Sequence, residues 1–280
     1  MPRSSILSVR SWSLLGALLL IAPLAEAIVV APHYAILDQR TRSGVIYLHN
    51  PATEAEEVSI SFIFGYPASD SAGNVSIKVI EQPASDDPSA RSWIRAYPRR
   101  MVVGPGQTRA VRLLAQPPTD LPEGEYWARA VVHSRSAQPP TVTPDSTGVQ
   151  VGLNLEVRTV VPVSYRNGNV NTGLVITTID HSVVSDSLVA KVGLRRTGNA
   201  AFLGTLHTTL VDDTAAVVAE SHRQIAVYRD LLRRISLPLD GLPTGEYTLH
   251  IRLDTQRTDV EPELILPAQP LKTSIEVRLP

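Results

Sequence analysis

The chain has 280 residues, of which 43% are hydrophobic and 5% are aromatic, with a formal net charge of −1 and no cysteine. A near-neutral charge without a basic block excludes the electrostatic footprint of a nucleic-acid-binding protein. Without cysteine, the chain has no disulfides, no thiol chemistry and no thiolate ligands for a metal.

Residues 1–27 have the features of a secretory signal peptide. Arg3 and Arg10 precede a short apolar run over residues 14–21, and Ala25-Glu26-Ala27 is a small-x-small cleavage site. The run is shorter than the roughly 20 residues that a membrane-spanning helix needs, which favours a signal peptide over an anchor. We therefore expect a mature chain that begins near Ile28 and lies outside the cytoplasm with no membrane span.

The first half of the mature chain reads as short strands separated by turns. Turn signals recur at a spacing of about 8–12 residues and no helical period is present, a pattern typical of an antiparallel sandwich. A proline-containing loop is predicted over residues 82–92, and a long exposed loop over residues 134–147. Strands are predicted over residues 28–38, 44–50, 58–64, 75–79, 110–114 and 126–132.

The clearest strand pattern runs through residues 148–168. Apolar side chains fall on every second position, and after Arg158 the segment is apolar on both faces until Tyr165-Arg166-Asn167-Gly168 ends it. The pattern fits an ordinary strand with one buried face, and it also fits a strand that offers its apolar row to another chain. In the second case we expect the sandwich core to use the other face of the strand and the segment after Arg158. The row consists of Val149, Val151, Leu153, Leu155 and Val157.

The second half of the chain also reads as short strands separated by turns. Leu121-Pro-Glu-Gly-Glu-Tyr126 has a counterpart in Leu242-Pro-Thr-Gly-Glu-Tyr247, which favours two sandwiches of one type, although the motif also makes a good turn before any strand. A short linker is predicted over residues 165–172. Strands are predicted over residues 202–212, 216–220, 235–239, 249–253 and 271–279.

Several of these segments resemble a known family in their order and spacing. The succession Tyr97-Pro98, Gly104-Pro-Gly-Gln107, Val111-Arg-Leu113 and Leu121-Pro…Glu125-Tyr126, closed by Val163-Ser-Tyr-Arg166, resembles the first domain of PapD-like periplasmic pilus-assembly chaperones. The resemblance covers about residues 31–168. It implies an all-β chain of two immunoglobulin-like antiparallel β-sandwich domains in tandem, with an N-terminal domain over residues 28–165, a C-terminal domain over residues 166–280 and a cleft between them.

The resemblance also implies a function in the periplasm. Chaperones of this family bind pilus or fimbrial subunits by donor-strand complementation, in which the last strand of the first domain fills a groove in the subunit. An outer-membrane usher is a further partner that the family implies. The identity of the subunit and the oligomeric state do not follow from the sequence. Carried over to this chain, the donated row is Val151, Leu153, Leu155 and Val157.

The family's cleft residues are only partly present. Two basic residues anchor the carboxylate of the subunit in the family, and their positions here hold Tyr34 and Pro162. Tyr34 can donate one hydrogen bond, so we include it among the expected partner-binding residues. Glu125 and Arg166 occupy the positions of an interdomain ion pair, although each also fits a solvated surface residue. The second half of the chain is longer than in the family and lacks its usual sequence marks.

The sequence gives no indication of an enzyme. The seven histidines have no His-x-x-x-His spacing and no Gly-x-Ser-x-Gly motif is present, so we expect no catalytic residues, no metal and no cofactor. An extracytoplasmic structural or adhesive module of immunoglobulin-like domains, without chaperone activity, is the alternative function.

Overall fold

The computed structural model describes residues 27–138 and 155–280. The predicted signal peptide therefore lies outside the described residues, apart from Ala27. The same holds for the loop over residues 139–147 and for Val149, Val151 and Leu153 of the apolar row.

The first ten strands form one sandwich of two sheets. One sheet has the order β1-β3-β8-β6, and the other has the order β2-β10-β9-β4-β5 with β7 also paired to β4. The strands are β1 (Val29–Ala31), β2 (Ala35–Asp38), β3 (Ser43–His49), β4 (Glu56–Ser69), β5 (Val75–Ile80), β6 (Ile94–Tyr97), β7 (Arg100–Val103), β8 (Thr108–Ala115), β9 (Gly124–Ser136) and β10 (Glu156–Asn167).

The remaining seven strands form a second sandwich with sheets of order β11-β12-β15 and β14-β13-β16-β17. A 3₁₀ turn at Pro262–Leu264 is the only helical element in the parts of the chain that the structure describes. The predicted fold class, all-β with two immunoglobulin-like antiparallel sandwiches in tandem, is confirmed. The strands are β11 (Thr172–Val184), β12 (Ser187–Gly198), β13 (Phe202–Val211), β14 (Val217–Val227), β15 (Asp230–Pro238), β16 (Gly245–Asp254) and β17 (Leu271–Leu279).

Each sandwich has its own apolar core, built from alternate residues of its strands. On β8, Val111 and Leu113 are fully buried while Arg112 between them is exposed. On β16, Leu249 and Ile251 are buried in the same way in the second core. Burying each such side chain stabilises the fold by about 1.5–3 kcal/mol.

The repeated Leu-Pro-x-Gly-Glu-Tyr segments perform the same structural task in both sandwiches. The Tyr126 hydroxyl donates to the Pro122 carbonyl at 3.0 Å, and the Tyr247 hydroxyl donates to the Pro243 carbonyl at 2.9 Å. This is the tyrosine corner of immunoglobulin-like folds, in which a tyrosine at the start of a strand ties down the preceding turn. The repeat therefore marks the same corner of two similar sandwiches.

The strand predicted over residues 28–38 is wrong, because it is two strands in different sheets. β1 pairs with β3, whereas β2 runs parallel to β10. Pro32 lies between them, and since it has no backbone N–H it cannot continue a ladder. The break lets the chain cross from one sheet to the other.

The sequence reading missed β11 and β12. β12 carries a recognisable alternation in Leu188, Ala190, Val192 and Leu194, all of them buried. β11 has weaker alternation because its middle is polar, and it is held mainly by its ladder with β12.

β10 ends at Asn167, inside the segment from Tyr165 to Gly168 that was predicted to end it. Tyr165 is buried in the first core, and Arg166 and Asn167 remain in register with β9. The boundary placed between residues 165 and 166 stays a prediction.

Candidate partner-binding edge and the interface between the sandwiches

Strand β10 leaves one side of its backbone open over its first half. It pairs with β9 along its whole length, from Glu156 to Asn167, but with β2 only from Val163 to Arg166. From Glu156 to Pro162, no other described strand pairs with its second side. Such an edge presents backbone donors and acceptors to which a further strand can add.

The apolar row on this edge continues the core face of the first sandwich. Val161, Val163 and Tyr165 are buried in the core, and the ladder between β10 and β9 has no bulge. Because side chains alternate along a strand, Val157 lies on the same face as these three. Val157 is half-buried and Leu155 is 49% exposed, so the row emerges from the core into solvent.

The expectation that the core uses the other face of this strand is therefore wrong. The buried residues after Arg158 are Val161, Val163 and Tyr165. They are separated from Val157 and Leu155 by an even number of positions, so all five side chains lie on the same face of the strand. The opposite face carries Glu156, which lies 3.1 Å from His133, and the exposed Val160. A strand added at this edge would thus extend the core of the first sandwich.

Tyr34 is buried between the two sandwiches. Its hydroxyl lies 2.9 Å from the Ser164 hydroxyl on β10 and 2.7 Å from the Tyr228 hydroxyl, which belongs to the turn between β14 and β15. Burial is the largest cause that raises the pKa of Tyr34 well above its ordinary value. Since Tyr34 is buried and its hydroxyl already has two hydrogen-bonding neighbours, this position argues against contact between Tyr34 and a partner chain. Pro162, at the other anchor position, is half-buried and carries no charge.

Aromatic rings fill the space between the sandwiches. Trp127 of β9 packs edge-on against Tyr228 with ring centroids 4.7 Å apart, and Tyr66 of β4 packs against Trp127 at 6.2 Å. Edge-to-face pairs of this kind contribute about 0.5–1.5 kcal/mol beyond the area that they bury. The interface is thus a third apolar cluster, made of Tyr34, Phe64, Tyr66 and Trp127 from the first sandwich and Ala201, Leu203, Tyr228 and Val260 from the second.

Glu125 and Arg166 form an ion pair beside this cluster. Arg166 Nε lies 3.0 Å from Glu125 Oε2, and the Glu125 side chain is almost fully buried. Glu125 Oε1 also accepts hydrogen bonds from Trp127 Nε1 at 3.0 Å and from the Ala201 N–H at 3.3 Å. Arg166 Nη1 donates to the Leu264 carbonyl at 2.7 Å. Since Ala201 and Leu264 lie in the second half, the pair connects both sandwiches.

Three further arginines lie at the interface, which the sequence reading did not identify. Arg196 lies 5.8 Å from the centre of the Trp127 ring, Arg229 lies 5.1 Å from that of Tyr66, and Arg129 lies 5.8 Å from that of Tyr228. Burial lowers the pKa of Arg196. These cations pack on aromatic faces, an attraction worth about 0.5–2 kcal/mol each.

The hairpin formed by β4 and β5 also reaches across to the second sandwich. The Arg234 N–H donates to the Gly73 carbonyl at 3.1 Å, and the Leu232 N–H donates to Ser69 Oγ at 2.8 Å. Gly73 has φ +82°, and a Cβ there would lie 2.8 Å from Arg234 N. A glycine is needed at this turn because the two backbones approach so closely.

No helix within the described residues is long and apolar enough to cross a membrane. No protein-family model matches the chain. A comparison with curated proteins likewise finds no match.

Solved structures of chaperones match the chain over most of its length. The YadV chaperone is 12% identical, with 89% of this chain and 99% of that chain covered and a TM-score of 0.46. The CsuC–CsuE pre-assembly complex of a chaperone and a tip adhesion subunit, from Acinetobacter baumannii, gives 10% identity, coverage of 89% and 97%, and a TM-score of 0.45. The SafB chaperone in complex with the SafA pilin, from Salmonella enterica, gives 12% identity, coverage of 91% and 99%, and a TM-score of 0.45. The chain is similar to these chaperones in overall fold.

Proposed function

We propose that this protein is a periplasmic chaperone-like protein that binds pilus- or fimbrial-type subunits by donor-strand complementation. The observation that carries the proposal is the open edge of β10 from Glu156 to Pro162. Along this edge, the side chains on the core face of the first sandwich become exposed to solvent toward Leu155. An exposed apolar row at a strand edge is an aggregation hazard unless a partner covers it.

A subunit that lacks one strand would bind along this edge. Backbone hydrogen bonds to β10 supply affinity, and alternate side chains on one face of the strand supply fit. The side chains that enter the subunit are Leu155 and Val157, together with Val151 and Leu153 before them in the sequence. Burial of each leucine contributes about 1.5–3 kcal/mol by apolar transfer.

The interface between the sandwiches does not serve as an anchor for the subunit in this proposal. Tyr34 is buried against Tyr228, and Pro162 offers no charge. A cleft without free cations at these positions lacks the charge-assisted bonds that would fix a carboxylate. The fit of the apolar row in the subunit groove therefore sets the register of the complex.

The remaining parts of the proposal concern location and partners. Residues 1–27 direct the chain to the periplasm, where subunits arrive unfolded or incomplete. An outer-membrane usher receives the complex. The two domains are those over residues 28–165 and 166–280.

The test is recovery of co-expressed periplasmic subunits by the wild type and by Leu153→Glu/Leu155→Glu. The double variant should lose the subunits, because it would bury two charges in an apolar groove. Val160→Glu is the matched control, since Val160 lies on the same strand, is 42% exposed and faces the other way. The control should recover subunits as the wild type does.

Equal recovery by the wild type and the double variant would exclude donor-strand binding. Circular dichroism should show both variants folded. If the double variant unfolds, its row belongs to the protein's own core, and the structural or adhesive module becomes the better interpretation. The aromatic cluster that fills the middle of the interface between the sandwiches favours that second candidate, because it buries Tyr34 away from a partner.

A further inference from the structure

Two histidines face each other on the second sandwich. His207 on β13 and His222 on β14 are directly opposite in the ladder, and their Nδ1 atoms lie 2.8 Å apart. The rings meet edge to face with their centroids 4.9 Å apart. β14 is the outermost strand of its sheet, so the pair lies beside a sheet edge.

The other nitrogen of each ring faces a carboxylate. His207 Nε2 lies 3.3 Å from Asp254 Oδ2, and His222 Nε2 lies 3.6 Å from Glu220 Oε2. These are ion-pair distances, without the alignment or closeness of good hydrogen bonds. A carboxylate near Nε2 favours a proton on that nitrogen and leaves the lone pair on Nδ1. At 2.8 Å one ring can donate an Nδ1–H to the Nδ1 of the other, and when both rings carry their proton on Nε2 the two Nδ1 lone pairs are free to bind one cation instead.

We propose that His207 and His222 bind one divalent transition-metal ion through their two Nδ1 atoms. Neutral imidazole is a preferred ligand of copper, nickel and zinc. A ring whose second nitrogen faces a carboxylate is the usual arrangement of a metal-binding histidine.

The geometry favours copper or nickel over zinc. With metal–nitrogen distances of about 2.0–2.1 Å, nitrogens 2.8 Å apart subtend an angle of about 85–90° at the metal. This angle suits the square-planar or tetragonal coordination of Cu²⁺ and Ni²⁺ and is too small for tetrahedral Zn²⁺. Cu²⁺ binds most tightly of the three in the general order of affinities, so it is the expected ion.

Charged side chains of both signs lie near the pair. Arg252 lies 3.0 Å from Asp254 Oδ2 and offsets the charge of that carboxylate. Lys272 lies opposite Arg252 on β17. No group of three or more His, Cys, Asp or Glu side chains in the described part of the chain is placed to hold a metal. The pair therefore supplies two ligands, and water supplies the rest.

A metal ion at this place would link β14 to its neighbour β13. The chain has no cysteine and thus no disulfide that could do so. The two histidines are 15 residues apart in sequence, on either side of a hairpin, which is why a search for short histidine spacings does not detect them.

The test is an isothermal calorimetric titration of the untagged mature chain with CuCl2 as the only added metal. NiCl2 and ZnCl2 give the comparison among metals, and MgCl2 serves as a hard-cation control. The wild type should bind one Cu²⁺ per chain, and Cu²⁺ should raise its melting temperature. His222→Gln should bind at least tenfold more weakly, and because His222 is half exposed this variant should fold. Glu220→Gln should weaken binding by a smaller factor.

His181→Gln is the matched control, because His181 is an exposed histidine on β11 in the other sheet. It should bind Cu²⁺ as the wild type does. Equal binding by His222→Gln and the wild type would place the ion elsewhere and overturn the proposal. Absence of a one-to-one Cu²⁺ complex would also overturn it, because the 2.8 Å contact would then be a hydrogen bond between the two rings and no metal site.

Discussion

The hydroxyl groups of Tyr34 and Tyr228 lie 2.7 Å apart, and this bond joins the first sandwich to the second in the middle of the aromatic cluster. Both residues are buried, and burial is the main cause that raises the pKa of each hydroxyl. The bond needs a proton on at least one of the two hydroxyl groups, and burial favours the neutral form of both.

Alkaline pH should weaken the folded state through these tyrosines. Because their pKa in the folded protein is raised above the ordinary value of 10.0, the stability that they contribute is present below about pH 10 and is lost as the pH rises further. Tyr34→Phe removes one of these groups and should show a smaller loss between pH 9 and pH 11. Urea unfolding at several pH values measures this.

The same variant should also cost about 0.5–1.5 kcal/mol at pH 8, because the hydroxyls of Tyr228 and Ser164 lose a partner. Tyr97→Phe is the control, since Tyr97 is exposed and should change little. An equal pH dependence of the wild type and Tyr34→Phe would show that Tyr34 is not held neutral by burial.

Breaking the buried ion pair between Glu125 and Arg166 should lower the free energy of unfolding far more than breaking an exposed ion pair. Arg166→Ala leaves the Glu125 carboxylate buried without its cation and should lower the free energy of unfolding by about 3–5 kcal/mol. Arg195→Ala breaks an exposed pair with Asp230 and should cost about 0–1 kcal/mol. Denaturant unfolding of both variants compares them.

A second change at Glu125 tests the cause of that loss. Glu125→Gln/Arg166→Met removes both charges, so it should be more stable than Arg166→Ala alone. If the two variants are equally unstable, the lost hydrogen bond from Arg166 to the Leu264 carbonyl, rather than an unpaired charge, explains the effect.

The two tyrosine corners should stabilise the protein independently. Tyr247→Phe and Tyr126→Phe each remove one hydrogen bond to a proline carbonyl, which contributes about 0.5–1.5 kcal/mol. The cost should be larger for Tyr247, which is buried, than for Tyr126, which is partly exposed. Because the corners lie in different sandwiches, the costs should add in the double variant, and a clear departure from additivity would indicate coupling between them.

The turn at Gly73 should tolerate no side chain. Gly73→Ala would bring a Cβ to 2.8 Å from Arg234 N, so it should displace the hairpin from β15 as well as strain the backbone. Gly106→Ala has a similar φ, +65°, with nothing within 4 Å, so it should cost only the backbone strain of about 1–2 kcal/mol. Thermal unfolding should show the larger loss for Gly73→Ala, and equal losses would mean that contact with β15 is unimportant.

Alternation and turn signals were sufficient to predict most of the strands. Val111 and Leu113 on either side of Arg112 show why. A strand with one buried face has an apolar residue at every second position, and this alternation is visible in the sequence. The same reasoning missed β11, whose polar middle at Asp180 and His181 removes the period, and it did not detect the break at Pro32. In those places the ladder to a neighbouring strand decides the structure, and the neighbour is distant in sequence.

The interface was less predictable than the strands. Trp127, Tyr66 and Tyr228 lie on separate strands and turns, and no local pattern connects them. Glu125 and Arg166 were noticed only because both matched positions in a resembling family. The cross-strand pair of His207 and His222 shows the same limit, because only the ladder between β13 and β14 brings the two rings together.

The aromatic cluster between the sandwiches also bears on the kinetics of the subunit binding that we propose. Two domains joined by a flexible linker would move relative to each other, and a partner would have to select one arrangement. Here Trp127, Tyr34 and Tyr228 fix that arrangement before any partner arrives. Less conformational entropy is then lost on binding, which leaves more of the contact energy for affinity. A preorganised platform of this kind should show association rates that depend on how quickly the partner strand orders itself along β10.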